Sequence, residues 1–380
     1  MCYNQSAMKN LIEFIKKETV FCVSFVLALI SFLLVKPSID CISGIDFRVL
    51  SLLFSLMAVV AGLQKILVFR RIGNSLLGRL KSTRPLYLLL VYLCFFSSMF
   101  LTNDVALITF VPFAILLLPM VDKTEKLIVV VVLQTIAANL GSMLTPLGNP
   151  QNLYLYTVSG MNLVEFVMMM LPLWLLSLVL VTLPILVMKN EPITNVEASR
   201  LPARRHDFEF IYGLLFLLCL LTVVDVLPYQ ILLAVIILVI FISDRSVLGS
   251  VDYMLLLTFV CFFLFIYNMK QIPEVVAWLS SIVEGRVFLV GVLTSQIISN
   301  VPAALLLSGF TNDFKALTLA VDAGGLGTLI ASLASLISFK LYSSYTGAKK
   351  GKYFAVFTIY NIIYLIIVIA FVLLTQKMFW

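Results

Sequence analysis

Long apolar stretches follow one another along almost the whole sequence, and they constrain the fold more than any other feature. A helix needs about 20 mainly apolar residues to cross the hydrocarbon core of a bilayer. The chain has 380 residues, of which 62% are hydrophobic and 12% charged, and its mean hydropathy is +1.11. A water-soluble domain covers its surface with more charge than this. The sequence therefore predicts an all-α polytopic membrane protein and excludes the class of soluble enzymes.

About nine of these stretches are predicted to be spanning helices. Two of them, 126–158 and 316–345, are longer than a straight spanning helix, and both contain glycines near their middles. We therefore expect both helices to be broken. The nine stretches are 20–35, 47–68, 126–158, 165–188, 209–226, 229–243, 252–269, 316–345 and 353–375.

Two further apolar stretches, 84–120 and 286–311, are each interrupted by a short polar tip. A tip of this kind predicts a re-entrant hairpin, which enters the membrane and returns to the side from which it came. Two full crossings by 84–120 fit the charge pattern equally well. The first tip consists of Thr102, Asn103 and Asp104, and the second of Ser299 and Asn300.

The basic residues predict the orientation. The formal net charge is +7, and the basic residues cluster in the loops 65–84, 189–209 and 347–352. Such a distribution is typical of cytoplasmic loops and requires no nucleic acid as partner. With these loops inside, the chain is a multi-pass plasma-membrane protein with a cytoplasmic N-terminus and an outside C-terminus. The amphipathic stretch 272–285 then lies along the outer surface.

This orientation gives the two hairpins opposite entry sides. Each hairpin is followed by a broken helix of opposite direction, which predicts an inverted repeat. The first half is 1–188, the second is 210–380, and 189–209 is a cytoplasmic linker. An ungapped alignment of the breaks places 139–145 on 325–331, at an offset of 325 − 139 = 186.

The breaks are the predicted binding elements. A break in a membrane helix frees N–H groups, which attract anions, and carbonyl groups, which attract cations. An extramembrane loop is the alternative for the first break, and a flexible glycine-containing helix for the second. The predicted binding residues are Thr145, Pro146, Gly148 and Asn149 in the first break, and Gly325, Gly327 and Thr328 in the second.

Two aspartates are the candidates for coupling to an ion. A carboxylate inside a membrane is costly and is usually functional, so Asp104 and Asp322 are each expected to bind Na⁺ or carry a proton. Asp322 has two alternatives, a cap of a helix N-terminus or an ion pair with Lys340. Asn103 and Asn300 could likewise only cap a half-helix.

Three motifs give the chain a resemblance to a known family. They are Thr102-Asn103-Asp104, Gly148-Asn149-Pro150-Gln151-Asn152 and Ser299-Asn300-Val301-Pro302. The chain resembles the ion-transporter superfamily, which includes divalent-anion/Na⁺ symporters, citrate-type permeases, arsenite permeases and one group of Na⁺/H⁺ antiporters. The resemblance covers nearly the whole chain. It implies two re-entrant hairpins, an inverted repeat, a homodimer formed through a scaffold domain, and elevator-like movement of the hairpin-bearing part.

The resemblance also bears on the tips. In the dicarboxylate branch each tip reads Ser-Asn-Thr and helps to hold Na⁺ and a substrate carboxylate, which implies Na⁺ near Asn103 and Asn300. This chain departs from that pattern at Thr102, Asp104 and Val301. Its Asn-Asp pair is closer to the arsenite permeases, and its Gly-Asn-Pro-Gln-Asn loop is closer to anion permeases of unassigned substrate.

Together these features predict a secondary active transporter rather than an enzyme. It would move a small anion, a carboxylate or an inorganic oxyanion, with Na⁺ or H⁺ as coupling ion and no other cofactor. Its expected partners are the anion, membrane lipid and a second copy of the chain. A Na⁺/H⁺ antiporter is the main alternative, and a passive channel and a membrane-embedded transferase are more remote ones.

Overall fold

The computed structural model describes residues 14–15, 18–36, 38–77, 80–193, 202 and 204–379. Over these residues the chain is almost entirely α-helical, and its one β-type contact is an isolated bridge between Ser82 and Pro192. Seven of the described helices are long and apolar enough to cross a membrane, or eight if one sharply bent pair counts as a single span. The predicted class, an all-α polytopic membrane protein, is confirmed.

The helices are numbered here in chain order. They are α1 Thr19–Leu34, α2 Phe47–Lys65, α3 Val68–Leu77, α4 Thr83–Leu101, α5 Asn103–Met120, α6 Leu127–Ser142, α7 Pro150–Ser159, α8 Leu163–Val187, α9 His206–Val223, α10 Tyr229–Ser243, α11 Tyr253–Met269, α12 Pro273–Val283, α13 Val287–Ile298, α14 Asn300–Ser308, α15 Phe314–Ala323, α16 Leu333–Ser343 and α17 Lys350–Phe379.

The count of nine spans stays a prediction. Among the described helices, α1, α10 and α13 are apolar but have fewer than 18 residues. The described residues exclude 1–13 and 16–17 at the N-terminus, and 194–201 and 203 in the linker 189–209. The bent pair that counts as one span is α11 and α12, which meet at 109°.

The arms of the two predicted hairpins differ in length. In the first hairpin, α4 has 19 residues and α5 has 18, so each arm is long enough to cross the membrane. In the second hairpin, α13 has 12 residues and α14 has 9. At about 1.5 Å per residue, neither of these arms spans the roughly 30 Å hydrocarbon core. Re-entry is therefore better supported for the second hairpin than for the first.

Several helix starts carry the side-chain caps expected from their sequence. Asn149 caps α7 through its side-chain oxygen, which accepts from the Asn152 backbone N–H, and Pro150 occupies the first position of the helix. Asp252 and Asp313 cap α11 and α15 in the same way. Each cap satisfies an N–H that the helix leaves free and stabilises the helix by about 1 kcal/mol.

The helices form two packing groups. The scaffold group contains α1, α2, α9, α10 and α11, and the hairpin group contains α4–α8 and α13–α17. Contact between the groups runs through α2 against α7 and through α11 against α14. The short helices α3 and α12 lead from the scaffold group into the two hairpins. Each half of the chain therefore contributes to both groups.

The hairpin group is tightly packed around α6, whereas its outer helices expose apolar side chains. A Cβ added at Gly141 would lie 2.1 Å from the carbonyl oxygen of Phe95, so the backbones of α6 and α4 touch at this glycine. On α8, Val164, Met168 and Val179 are more than half exposed. Apolar side chains exposed along a helix of bilayer length are suited to contact with lipid tails.

Candidate functional site

The first tip lies against the first break. Thr102 separates α4 from α5 with φ 73° and ψ 146°. The Asn103 backbone N–H donates to the Gly148 carbonyl at 3.0 Å. The Asn103 side-chain oxygen accepts from the Asp104 backbone N–H, also at 3.0 Å. These bonds fix the start of α5 on the loop that joins α6 to α7.

The second tip has the same geometry. Ser299 separates α13 from α14 with φ 77° and ψ 155°. The Asn300 backbone N–H donates to the Ala331 carbonyl at 2.9 Å, and the Asn300 side-chain oxygen accepts from the Val301 backbone N–H at 3.0 Å. The two asparagines are 300 − 103 = 197 residues apart in the sequence.

A threonine in each break repeats the correspondence. The Thr145 hydroxyl donates to the carbonyl of Met99, in the first arm of the first hairpin. The Thr328 hydroxyl donates to the carbonyl of Gln296, in the first arm of the second hairpin, at 3.1 Å. The carbonyl residues are again 296 − 99 = 197 apart, and the threonines are 328 − 145 = 183 apart. Each break is therefore tied to its own hairpin by the same bond.

Two further hydrogen bonds cross between the halves of the chain. The Asn149 side-chain amide, at the start of α7, donates to Asp322 Oδ1 at 3.1 Å. The Ser332 hydroxyl, at the start of α16, donates to Asn139 Oδ1 at 3.0 Å. Donors and acceptors are both 183 residues apart, since 332 − 149 and 322 − 139 give the same value. Asn149 directly precedes α7, and Ser332 directly precedes α16. In both cases the acceptor comes from the other half of the chain.

Asn139 joins three parts of the site, although it was not predicted to be a site residue. Its side chain is 5% exposed. Its oxygen also accepts from the Asn103 amide at 3.1 Å, and its own amide donates to the Gly325 carbonyl at 3.4 Å. The available signal was a buried asparagine one helical turn before a break, on an otherwise apolar helix.

Gln296 was also missed, and it holds the second break in shape. Its amide donates to the carbonyls of Gly324 and Leu326 at 2.8 and 2.9 Å, and its oxygen accepts from the Thr328 N–H at 2.9 Å. Gly327 has φ 101°, and a Cβ there would lie 2.2 Å from Gln296 Oε1. Only glycine fits this position. The sequence signal for Gln296 was weak, because this residue lies four residues before Asn300 and is not part of the polar tip.

Asp322 lies in the centre of this network. It is 3% exposed, and its Oδ1 also accepts from the Gln151 amide at 3.3 Å. Its Oδ2 is buried and has no hydrogen-bond partner in the described part of the chain. The ion pair with Lys340 and the N-terminal cap, both weighed as alternatives, are wrong. Asp322 lies near the C-terminal end of α15, and its described partners are neutral amides.

Three of the predicted residues of the first half border a cavity between the two packing groups. The cavity has a volume of ≈ 550 Å³, and Thr102, Asp104 and Asn149 line it from the hairpin group. Lys65 and Asp252 line it from the scaffold group and the loop before α11. Asp104 Oδ1 is buried without a hydrogen-bond partner among the described residues. Ser299 and Asn300 are buried and are not part of this lining.

The remaining predicted residues shape the breaks. Pro146 is buried within the first break. A Cβ at Gly148 would lie 1.9 Å from the Ser142 carbonyl oxygen, so this position requires glycine. Gly325 contributes its carbonyl to Asn139, and a Cβ there would lie 3.0 Å from the Asn300 amide nitrogen.

Residues 11–313 match the family model described as citrate transporter. The chain belongs to the citrate transporter family. The matched segment contains the first tip, the first break, the second tip and most of the helices of both packing groups. The resemblance read from the motifs is therefore confirmed, and so is the class of multi-pass membrane transporter.

Curated relatives of this citrate transporter family member are also transport or membrane proteins. An uncharacterized transporter of Methanocaldococcus jannaschii is 36% identical over 262 residues, which is 67% of this chain and 70% of the relative. The inner membrane protein YbiR of Escherichia coli is 30% identical over 301 residues, covering 77% and 78%. A silicon efflux transporter of Oryza sativa is 30% identical over 133 residues, 35% of this chain and 27% of the relative. The family model and two of these three relatives are named for transport, and the third is named as a membrane protein.

In this citrate transporter family member the site offers mostly neutral polar groups. Amides, hydroxyls and backbone groups surround two carboxylates. Of the residues lining the ≈ 550 Å³ cavity, the basic one is Lys65, whose Nζ lies 2.6 Å from Asp244 Oδ2. The hydrogen bond from Lys65 lowers the pKa of Asp244 below its usual value. The lysine charge is thus already paired at the edge of the cavity.

Proposed function

We propose that this protein is a secondary active transporter that moves a small anion across the plasma membrane, coupled to Na⁺ or H⁺. The two tips and the two breaks would form one binding site. The observation that carries the proposal is the recurrence of one hydrogen-bond arrangement in both halves, with the bonds from Asn149 and Ser332 crossing between them. These bonds hold the two halves of the site together within the hairpin group.

The recurrence supports an inverted repeat. Four correspondences in the breaks share the offset 183, and the hairpin correspondences share the offset 197. The ungapped alignment at 186 is three residues out of register. It aligns Asn139 with Gly325, whereas the hydrogen bonds make Asp322 the counterpart of Asn139. The break correspondences are Thr145 with Thr328, Gly148 with Ala331, Asn149 with Ser332 and Asn139 with Asp322.

Two helix N-termini support an anion as substrate. α5 begins beside Thr102 and α7 begins at Pro150, and both residues line the ≈ 550 Å³ cavity. The positive end of the helix dipole at such a terminus attracts negative charge. We propose that the anion binds in this cavity, with Thr102, Asn103 and the first break as its contacts, while Ser299, Asn300 and the second break form the other half-site.

Asp104 supplies a reason for coupling to a cation. It lines the same cavity, so its negative charge opposes an anion bound there. A proton on Asp104, or Na⁺ beside it, removes this repulsion and lets the anion bind. Na⁺ would lie near Asn103 and Asn300, where side-chain oxygens and free helix carbonyls meet. The cation and the anion would then bind together rather than independently.

The two packing groups support movement of one against the other. A second cavity of ≈ 530 Å³ lies at the opposite ends of α2 and α7, where Arg48, Tyr154 and Lys270 line it. The hairpin group therefore has an open space on either side of its contact with the scaffold group. We propose an elevator-like motion of the hairpin group and a homodimer formed through the scaffold group, with the N-terminus in the cytoplasm.

A Na⁺/H⁺ antiporter is the second candidate. It is favoured by one observation, the pair of carboxylates Asp104 and Asp322, each of which has a buried oxygen without a described partner. An antiporter needs two ion-binding carboxylates and no anion.

The deciding experiment measures thermal stabilisation of the purified protein by carboxylates, sulfate, phosphate and silicic acid. Each ligand is tested with and without Na⁺, at two pH values. A ligand at a hundred times its Kd adds about 2.7 kcal/mol of stability. We expect one anion to stabilise the protein in a manner that depends on Na⁺ or low pH. Stabilisation by Na⁺ or high pH alone, with every anion inactive, would instead identify an antiporter.

A further inference from the structure

The equivalence of Asn139 and Asp322 extends to their hydrogen bonds. Asn139 uses its oxygen to accept from Ser332 and its amide to donate to the Gly325 carbonyl. Asp322 uses Oδ1 to accept from Asn149, the counterpart of Ser332. Its Oδ2 corresponds to the amide nitrogen of Asn139, and this oxygen is buried without a described partner.

An amide has a hydrogen to donate at that position, whereas an ionised carboxylate has none. A protonated carboxyl group has one acceptor oxygen and one O–H donor, so it can form both bonds of an asparagine side chain. The carbonyl that corresponds to Gly325 is that of Ser142, because 325 − 183 = 142. The Ser142 hydroxyl already accepts from the Asn149 amide at 3.1 Å, so this residue lies within the same network.

No described cation offsets a negative charge on Asp322. The helices packed against α15 are α6, α7, α13, α14 and α17. α6, α13 and α14 contain no acidic or basic residue within their bounds. The titratable groups of α7 are the phenols Tyr154 and Tyr156, and the buried ones of α17 are Tyr353 and Tyr364.

The lysines of these elements lie at the ends of their helices. Lys315, on α15 itself, pairs with Glu165 at 2.8 Å and is about half exposed. Lys350 and Lys352 are exposed at the start of α17, and Lys377 belongs to its last turn. An ionised Asp322 would be a buried charge held by neutral amides alone, and burial disfavours the charged form of a carboxyl group.

We propose that Asp322 is protonated in this arrangement, with its O–H donating to the first break as Asn139 donates to the second, and that it binds the coupling proton. The inference rests on the proposed function, a coupled transporter, and names H⁺ as the coupling ion. When movement of the hairpin group lets water reach the breaks, the proton leaves Oδ2 for that water. The carboxylate left behind lacks the donor needed to close the network again, so reprotonation accompanies closure.

Infrared spectra of the purified full-length protein test the protonation directly. Wild type at neutral pH is expected to show a protonated-carboxyl C=O band that Asp322→Asn lacks. The matched control is Asp313→Asn, which changes an exposed aspartate at the cap of the same helix and should retain the band. An unchanged band in Asp322→Asn, or no such band in wild type, would overturn the proposal.

Proteoliposomes test the coupling. With one proton per substrate in an electroneutral cycle, a pH gradient of one unit supports about tenfold accumulation, because each factor of ten corresponds to one unit. Asp322→Asn mimics the protonated form permanently. We expect it to lose accumulation driven by the pH gradient. Accumulation equal to that of wild type would contradict the inference.

The controls separate this inference from the proposed function. If wild type moves no anion under either a Na⁺ or a pH gradient, the proposed function fails, and the infrared spectra still decide the protonation of Asp322. Asp322→Ala is expected to unfold at a lower temperature than Asp322→Asn, since alanine leaves the amides of Asn149 and Gln151 without an acceptor. Equal unfolding temperatures would show that the carboxyl group is not part of the network.

Discussion

The two halves of the site share a backbone arrangement but place their acids at different positions. In the first half the acid is Asp104, directly after the tip asparagine, and the residue one turn before the break is the neutral Asn139. In the second half the residue after the tip asparagine is Val301, and the acid is Asp322, before the break. Asp104 borders a cavity, whereas Asp322 is buried among amides. The similar backbone arrangement thus sets the geometry, and divergent side chains place the acid of each half in different surroundings.

The largest effect on stability is expected at two glycines, one in each break, that differ in how close an added Cβ would lie to its neighbours. Gly148→Ala places a Cβ 1.9 Å from a backbone oxygen, whereas the nearest neighbour of a Cβ at Gly325 is a side-chain nitrogen at 3.0 Å. We expect Gly148→Ala to lower the free energy of unfolding by about 3 kcal/mol, and Gly325→Ala by about 1 kcal/mol. Thermal unfolding in detergent measures both. The control is Gly213→Ala, where nothing lies within 4 Å. Equal decreases in the free energy of unfolding for Gly148→Ala and Gly325→Ala would show that the two breaks do not differ in this respect.

The next effect concerns Asn139, which serves both halves. Asn139→Ala removes three hydrogen bonds and leaves Ser332 and Asn103 without their acceptor. Loss of about 2 kcal/mol is expected, together with loss of transport, because unsatisfied buried polar groups destabilise the packed state. Asn361→Ala is the control, since this buried asparagine bonds only within its own helix among the described residues. A smaller shift for Asn139 than for Asn361 would show that the crossing bonds do not hold the halves together.

Substitution of the cavity-facing acid is expected to change ion dependence more than stability. Asp104→Asn removes the negative charge that opposes a bound anion, so anion binding should depend less on Na⁺ or on low pH than in wild type. Anion affinity is measured by thermal shift with and without Na⁺ at two pH values. Val301→Asn changes the equivalent position of the second tip and should leave the ion dependence intact. An Asp104→Asn protein with the ion dependence of wild type would exclude Asp104 from coupling.

The smallest effect is expected at the base of the first hairpin. The hydrogen bond from Lys123, followed by that from Lys189, lowers the pKa of Glu191 to about 2. Because this pKa is depressed, the contribution of Glu191 to stability is present above the ordinary glutamate pKa of 4.5 and is lost as pH falls towards 2. Glu191→Gln should therefore lower the unfolding temperature slightly at neutral pH and not at all near pH 2.

High salt provides the check on that prediction, since an exposed ion pair is screened. The difference between Glu191→Gln and wild type should shrink as salt is added at neutral pH. A difference in unfolding temperature that grows on acidification would contradict a stabilising role of the ionised Glu191. The base of the second hairpin offers a contrast, because it is held by a hydrogen bond from the Ser280 hydroxyl to the Phe310 carbonyl at 3.5 Å instead.

The amino-acid pattern was sufficient to place the tips and breaks, because each one is a polar or glycine-containing interruption of an apolar stretch. Asn103, Asn149 and Asn300 stand out for this reason. The pattern could not supply the contacts between distant segments. In the sequence Gln296 is one polar residue on an apolar helix. Its contact with the second break exists only in the folded chain.

The partners of Asp322 could not be predicted for the same reason. Lys340 is 18 residues away in the sequence and opposite in charge, whereas Asn149 lies 173 residues away and is neutral. The amino-acid pattern also could not predict which residues of the two breaks correspond. Apolar residues match one another at several offsets, and the pairs that define the offset of 183 include Asn139 with Asp322, which share no identity.

The crossing bonds also have a consequence for biosynthesis. A chain is inserted into the membrane from its N-terminus onwards, so α6 and α7 are present before α15 and α16 exist. During that interval Asn139 and Asn149 lack the Ser332 and Asp322 side chains that later satisfy them. Such groups are costly in hydrocarbon, so the first half should remain loosely assembled and accessible to chaperones until the second half arrives. Two separately expressed fragments, divided within 189–209, would then be stable only when produced together.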